Sequence, residues 1–424
     1  MVNRNRLFGL ICALLTLLPA AVLGGRYVPV LDDYIMYQGY YLYDISYLLG
    51  TVRVWTARPV ANLLDVFVWS RFHDCLFVLF LLFALLRLAA VYFLCRFFDQ
   101  QGWEGAKMPL CLLLLWCPIG VEATGWLAAS SRIVVGLFFL GLALWFLIHN
   151  RWVWFSLFLL LSYGCYEQIA LVGCCLAMYD IWHRDKKFLW IPPVFGGLLG
   201  AYYLFCSRWS TVPRDALDVS QWMVTLQRIW DGWRLGITGL IPESFCRGWE
   251  MLARNWWLAV GIFGLTAALV WLWRPERSRN KSGWVGLLLF AVCFFPFFIL
   301  KDNGISFRVL YLSLIGLSLC FRGGTAVILR KLLCGALIVV FSVGTVGELM
   351  DYQKAGQKDV EILHHIAQQV QGDQVTVEDL GLYHHTPSVL FGQHILSVTH
   401  SEWSLTAGLR AVTKNKNLNA EIRK

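Results

Sequence analysis

CLFVLFLLFALLRLAAVYFLC, residues 75–95, is an apolar run broken only by Arg87. A helix rises 1.5 Å per residue, so about twenty such residues cover a hydrocarbon layer of roughly 30 Å. The run therefore predicts a membrane span, and Arg87, its one cation, is expected to snorkel toward the nearer interface.

Similar runs begin near Leu7, Met108, Ile133, Trp152, Ile169, Phe188, Trp256, Gly283, Val309 and Leu332. Together they predict an all-α polytopic membrane protein of about eleven transmembrane helices. Composition agrees: 58% of the 424 residues are hydrophobic, only 15% are charged, and mean hydropathy is +0.59. A soluble globule is about half apolar and a quarter charged. The 21 Trp, 16 Tyr and 28 Phe also favour a headgroup region.

A formal charge of +9 could suggest nucleic acid, but the basic residues sit in short clusters between apolar runs. With the N-terminus inside, about one residue in three is basic in the loops assigned to the cytoplasm, against about one in ten in the opposite loops. The charge is therefore topological, and no nucleic-acid partner is expected. An odd number of spans places the C-terminal region outside. The 13 Cys form no CxxC pair and read as small core residues rather than disulfides or metal ligands.

This organisation divides the chain into a membrane domain, residues 1–348, and a small extracytoplasmic α/β tail, residues 349–424. Two long outer loops, 26–73 and 207–255, are expected. In the second, Trp222, Leu226, Ile229, Trp230 and Trp233 share a helical face, which predicts an interfacial helix. In the tail, Val360, Leu363, Ile366, Ala367 and Val370 predict a helix closed by Gly372, with strands at residues 375–377 and 389–398.

The residues able to carry chemistry fall on outer turns. Asp32 and Asp33 follow the first span; adjacent carboxylates can act as a base, hold a cation, or cap the helix beginning at Tyr34. Arg58 precedes Pro59, a residue suited to a first helical position, and can hold a phosphate or pair with Asp32 or Asp33. Glu122 and Arg132 flank a turn of small residues, and Tyr166, Glu167 and Gln168 interrupt a long apolar stretch. The last outer turn brings Lys301, Asp302, Arg308 and Tyr311, whose cations can grip an anionic headgroup. Carboxylates and cations from four outer turns on one side of the membrane are what a site built between spans requires. There is no P-loop, GxGxxG or HExxH motif.

Asp32-Asp33-Tyr34 with its following tyrosines, the Trp55-Thr56-Ala57-Arg58-Pro59 step and Tyr166-Glu167-Gln168 together resemble the GT-C membrane glycosyltransferases. More narrowly they resemble the bacterial serotype-converting O-antigen glucosyltransferases, although Glu167 departs from the expected pattern. The resemblance implies an inverting transfer of a sugar from a polyprenyl-phosphate donor to an extracytoplasmic cell-envelope glycan or lipid acceptor, in the plasma or inner membrane. Asp32 or Asp33 would be the base, and Arg58, Lys301 and Arg308 would stabilise the departing lipid phosphate. A divalent cation on Asp32 and Asp33 is compatible with this chemistry without being required. A polysaccharide polymerase or ligase, and a lipid or oligosaccharide flippase, are the competing readings. A flippase should line the middle of several spans with charge.

Overall fold

The computed structural model describes residues 4–43, 58–209, 220–275, 283–299, 304–321, 327–381 and 396–423, apart from the side chains of 207–209. The chain is mostly helical, and among the described residues its only sheet has two strands. Among the described residues, five helices are long and apolar enough to cross a membrane: Arg4–Leu23, Leu76–Gln100, Leu127–Ile148, Lys186–Cys206 and Val327–Gln369. Two bent pairs raise the number to as many as seven: Glu104–Trp116 with Pro118–Thr124, bent by 55°, and Trp222–Arg254 with Trp256–Leu272, bent by 116°.

Among the described residues this is fewer than the eleven spans expected from hydropathy. Within the described residues, the apolar runs at Trp152–Tyr163, Gly283–Ile299 and Phe307–Cys320 form helices below the length of about twenty residues that a bilayer demands. Hydropathy registers apolar composition whether a segment faces lipid or other helices. Buried runs such as Phe307–Tyr311 therefore carry the same signature as a span.

Arg87 is also placed differently from expectation. It is buried within its helix and donates from Nη1 to the Thr124 hydroxyl at 2.6 Å, while Thr124 donates to the Gly120 carbonyl. A neighbouring polar group within reach removes the need to snorkel.

Many apolar side chains face outward from the bundle, including Val78, Leu85, Leu198, Phe205, Val260 and Leu287. Lipid can cover such a surface, whereas water would not favour it. At one end of the bundle, basic side chains close helix termini. Arg4 donates to the Leu272 carbonyl, Arg184 to the Leu147 carbonyl, and Lys107 pairs with Asp99. These favourable contacts with helix C-termini belong to segments that the charge bias assigns to one side.

In the long loop, Trp222–Leu235 forms the expected helix, with Trp222, Leu226 and Trp230 exposed from the protein. Further along, Ile241–Arg254 is also helical and packs against the long last helix. The two backbones touch, because a Cβ added at Gly248 would lie 1.9 Å from the Val343 carbonyl oxygen, and one at Gly347 would lie 2.0 Å from that of Ser244. Only glycine permits this approach.

The Val327–Gln369 helix runs 43 residues without a break. The expected boundary at residue 348 therefore falls inside a helix, and the tail is an extension of the last span. Gly372, with φ +87°, follows its end. Gln374–Glu378 then pairs in parallel with Asn419–Arg423, Val375 opposite Ala420, and the connection includes the Glu402–Thr413 helix. The first strand matches expectation. Most of the second expected strand lies outside the described residues, and at its end Val398 begins a short 3-10 turn. The partner strand is the final one. Tyr34 joins Leu363, Val398, Leu405 and Leu418 in the tail's core, so the tail and the first long loop share a hydrophobic centre.

Candidate functional site

The adjacent carboxylates Asp32 and Asp33 have different surroundings. Asp33 is fully buried. Its Oδ1 accepts from the backbone N–H of Ala128 at 2.8 Å, and its Oδ2 from the Tyr27 hydroxyl at 2.9 Å and the Val30 N–H at 3.2 Å. Ala128 lies in the first turn of the Leu127–Ile148 helix, so Asp33 caps that helix from a distant segment. It does not cap the Tyr34 helix with its side chain, the local role expected from sequence. Tyr27 completes the clasp by accepting from the Leu127 N–H at 3.2 Å. Burial raises the Asp33 carboxyl to about 7 despite these three donors, which act to lower it.

Asp32 is only partly buried. Its Oδ1 accepts from the Trp403 indole N–H at 3.1 Å, with the Ser404 hydroxyl at 3.5 Å, so it faces the tail. Of the two, Asp32 is the carboxylate that an external molecule can reach.

Pro59 opens the Pro59–Phe67 helix, as expected, and places Arg58 at its entrance. The partner of Arg58 is Glu167 rather than Asp32 or Asp33. Nε donates to Oε2 at 2.8 Å and Nη2 to Oε1 at 2.6 Å, and the guanidinium lies 4.5 Å from the centre of the Tyr166 ring. Burial works against the charge of Arg58, but Glu167 more than offsets it and raises the pKa further.

Two further pairs stand nearby. Arg132 Nε is 3.6 Å from Asp65 Oδ2, and Arg308 Nε is 3.9 Å from Glu122 Oε1, with its guanidinium 5.2 Å from the centre of the Trp126 ring system. Asp65 is buried in the Pro59–Phe67 helix. Burial raises its carboxyl to about 6, with Arg132 opposing the rise. The pairs stand on connected segments: Asp65 shares the Pro59–Phe67 helix that Arg58 opens, and Arg132 lies in the Leu127–Ile148 helix that follows Trp126. The side chains of Arg58, Arg132 and Arg308 are 23%, 22% and 25% exposed, so none of the three is sealed in the core.

Other expected site residues have internal roles. Gln168 is fully buried and donates to the carbonyls of Cys293 and Val309 at 2.8 and 3.1 Å, binding three segments together. Tyr311 is buried and donates to the Leu114 carbonyl at 2.9 Å, with its ring against Gly120, instead of continuing the Arg308 surface. Lys301, Asp302 and the 55–57 step lie outside the described residues.

Sequence reading missed Asp65 as a site residue. Its signal was a single carboxylate set among Leu63, Leu64, Val66 and Phe67 in an amphipathic helix. Among the described residues, no group of three or more His, Cys, Asp or Glu is arranged to hold a metal ion. Asp32 and Asp33 engage different partners and do not form a shared chelate. In comparisons with known proteins, no family model, curated protein or solved structure matches the chain.

Proposed function

We propose that the chain is a membrane glycosyltransferase of GT-C type, resembling the serotype-converting glucosyltransferases, that moves a sugar from a polyprenyl-phosphate donor to an acceptor of the cell envelope. The observation carrying this reading is a set of three arginines, Arg58, Arg132 and Arg308, from three separate elements, each beside a carboxylate and each partly exposed. Guanidinium groups stabilise a leaving phosphate without a metal. The basic bias of the opposite loops supports an orientation with this rim, the first loop and the tail outside the cytoplasm.

In the reaction, an acceptor hydroxyl attacks the anomeric carbon while the bond from that carbon to the phosphate oxygen breaks. The bonding pair leaves with the lipid phosphate, held by Arg58 and its neighbours. The hydroxyl proton passes to Asp32, the accessible carboxylate of the first loop, and the configuration inverts. Asp33 holds the loop in place from below, and Glu167, Asp65 and Glu122 orient the three guanidiniums.

The test is incubation of the purified full chain with a panel of polyprenyl-phosphate sugars and candidate acceptors, measuring released lipid phosphate. Acceptor-dependent release from one donor supports the reading. Transbilayer movement of an intact lipid-linked sugar, without release, would assign the chain to the flippase class.

A further inference from the structure

Between the first long loop and the tail lies a cavity of about 410 Å³. Its lining includes Tyr40, Tyr43, Glu402, Trp403, Arg410 and Asn419. The volume falls in the range of about 300–1,000 Å³ typical of small-molecule sites. We propose that this cavity binds a glycan chain and presents it as the acceptor, an inference that rests on the transferase reading above.

Three observations favour a neutral, hydroxyl-rich ligand. The first is Trp403, which is 62% exposed yet fixed by its indole N–H to Asp32 at 3.1 Å. An exposed indole held in one orientation presents a rigid apolar surface to the C–H face of a sugar ring, while Tyr40 and Tyr43 add aromatic surface from the loop. The second is the mixed character of the wall that Arg410 shares with Glu402. Arg410 donates to the Tyr43 hydroxyl at 2.5 Å, the Leu418 carbonyl at 2.7 Å and the Asn419 side chain at 2.8 Å. Glu402 stands on the same wall and accepts from the Ile422 N–H at 3.3 Å. The wall thus combines opposite charges with amide and hydroxyl groups, a mixture that suits sugar hydroxyls better than a phosphate. The third is position: the residue anchoring Trp403 is Asp32, so a sugar stacked on the indole lies beside the carboxylate assigned to take its proton.

The experiment uses the full-length chain in detergent on an array carrying hexose, hexosamine, uronic-acid and phosphorylated oligosaccharides of several units. Retention is compared for the wild type, Trp403→Ala and Trp403→Phe. The wild type is expected to bind a subset of neutral oligosaccharides. Trp403→Ala should weaken retention at least tenfold, and Trp403→Phe, which keeps a ring, should remain within about threefold of wild type. Absence of glycan binding by the wild type, preference for the phosphorylated set, or undiminished binding by a folded Trp403→Ala chain would overturn the assignment. Lipid-phosphate release from donors is measured separately. Its absence with array binding intact counts against the transferase reading and leaves the cavity a glycan site.

Discussion

Arg58 and Glu167, 109 positions apart, close a two-point ion pair at 2.8 and 2.6 Å with the Tyr166 ring beside the guanidinium. A fork-to-fork contact of this kind fixes direction as well as charge, so Glu167 determines where Arg58 points.

The first expected outcome follows from that geometry. Arg58→Ala should lower kcat/KM for the donor by at least about tenfold, as loss of a charge-assisted phosphate contact would. Arg58→Lys should not restore it, because an ammonium cannot make the planar two-point contact. Glu167→Gln should have a smaller effect, expressed mainly in KM. Equal and negligible effects in steady-state assays would reduce the pair to a structural link.

Asp32→Asn keeps size and a hydrogen-bond acceptor for Trp403 but removes basicity. If Asp32 takes the acceptor proton, turnover should fall by about a hundredfold or more, with donor KM changed far less. A variant that retains full turnover at normal expression would place the base elsewhere.

Asp33 should matter to stability rather than to chemistry. Asp33→Ala leaves the Ala128 and Val30 N–H groups and the Tyr27 hydroxyl without their acceptor, at a cost of about 3 kcal/mol. The pH dependence has a definite sign. The unfolded carboxyl titrates near its ordinary value of 3.8, whereas the folded one titrates at about 7. Between those values the folded state holds the extra proton, so this group's contribution to stability falls as pH rises through that window. Thermal unfolding of Asp33→Asn should show a flatter pH profile there than the wild type.

The crossing of Ile241–Arg254 with the last helix gives a fourth expectation. Gly248→Ala places a methyl against the Val343 carbonyl, which belongs to a helix backbone and has nowhere to retreat. Destabilisation of about 1–3 kcal/mol or more is expected, read as a lower unfolding midpoint in detergent. Substituting Gly264, whose Cβ would meet nothing within 4 Å, is the matched control and should leave the midpoint nearly unchanged.

Much of this was legible in local pattern. Pro59 marks a helix start, and Arg58, Glu167, Arg132 and Arg308 stand out as polar residues at turns in an apolar chain. Their pairing was not legible, because nothing near Arg58 in sequence names a partner 109 positions away. The same holds for Asp33, whose helix begins 94 positions later and whose local surroundings suggest a cap for the wrong one. Asp65 was hidden by the amphipathic stretch that carries it. The last strand, Asn419–Arg423, has polar residues at alternate positions and becomes a strand through its parallel partner rather than its own composition. Length separates the shorter apolar helices from those able to cross a membrane, whereas apolar content alone does not.

The unbroken Val327–Gln369 helix also acts as an angular gauge. At 1.5 Å per residue its 43 residues form a rod about 65 Å long, and the tail sits on its far end at a fixed azimuth. One alanine inserted near residue 357 would turn everything beyond it by about 100°. Trp403 would swing away from Asp32 and Tyr34 would leave the tail's core, while the bundle below kept its packing. The chain thus meets its first loop only at one phase of its last helix, and the register of that helix sets the alignment of the cavity wall.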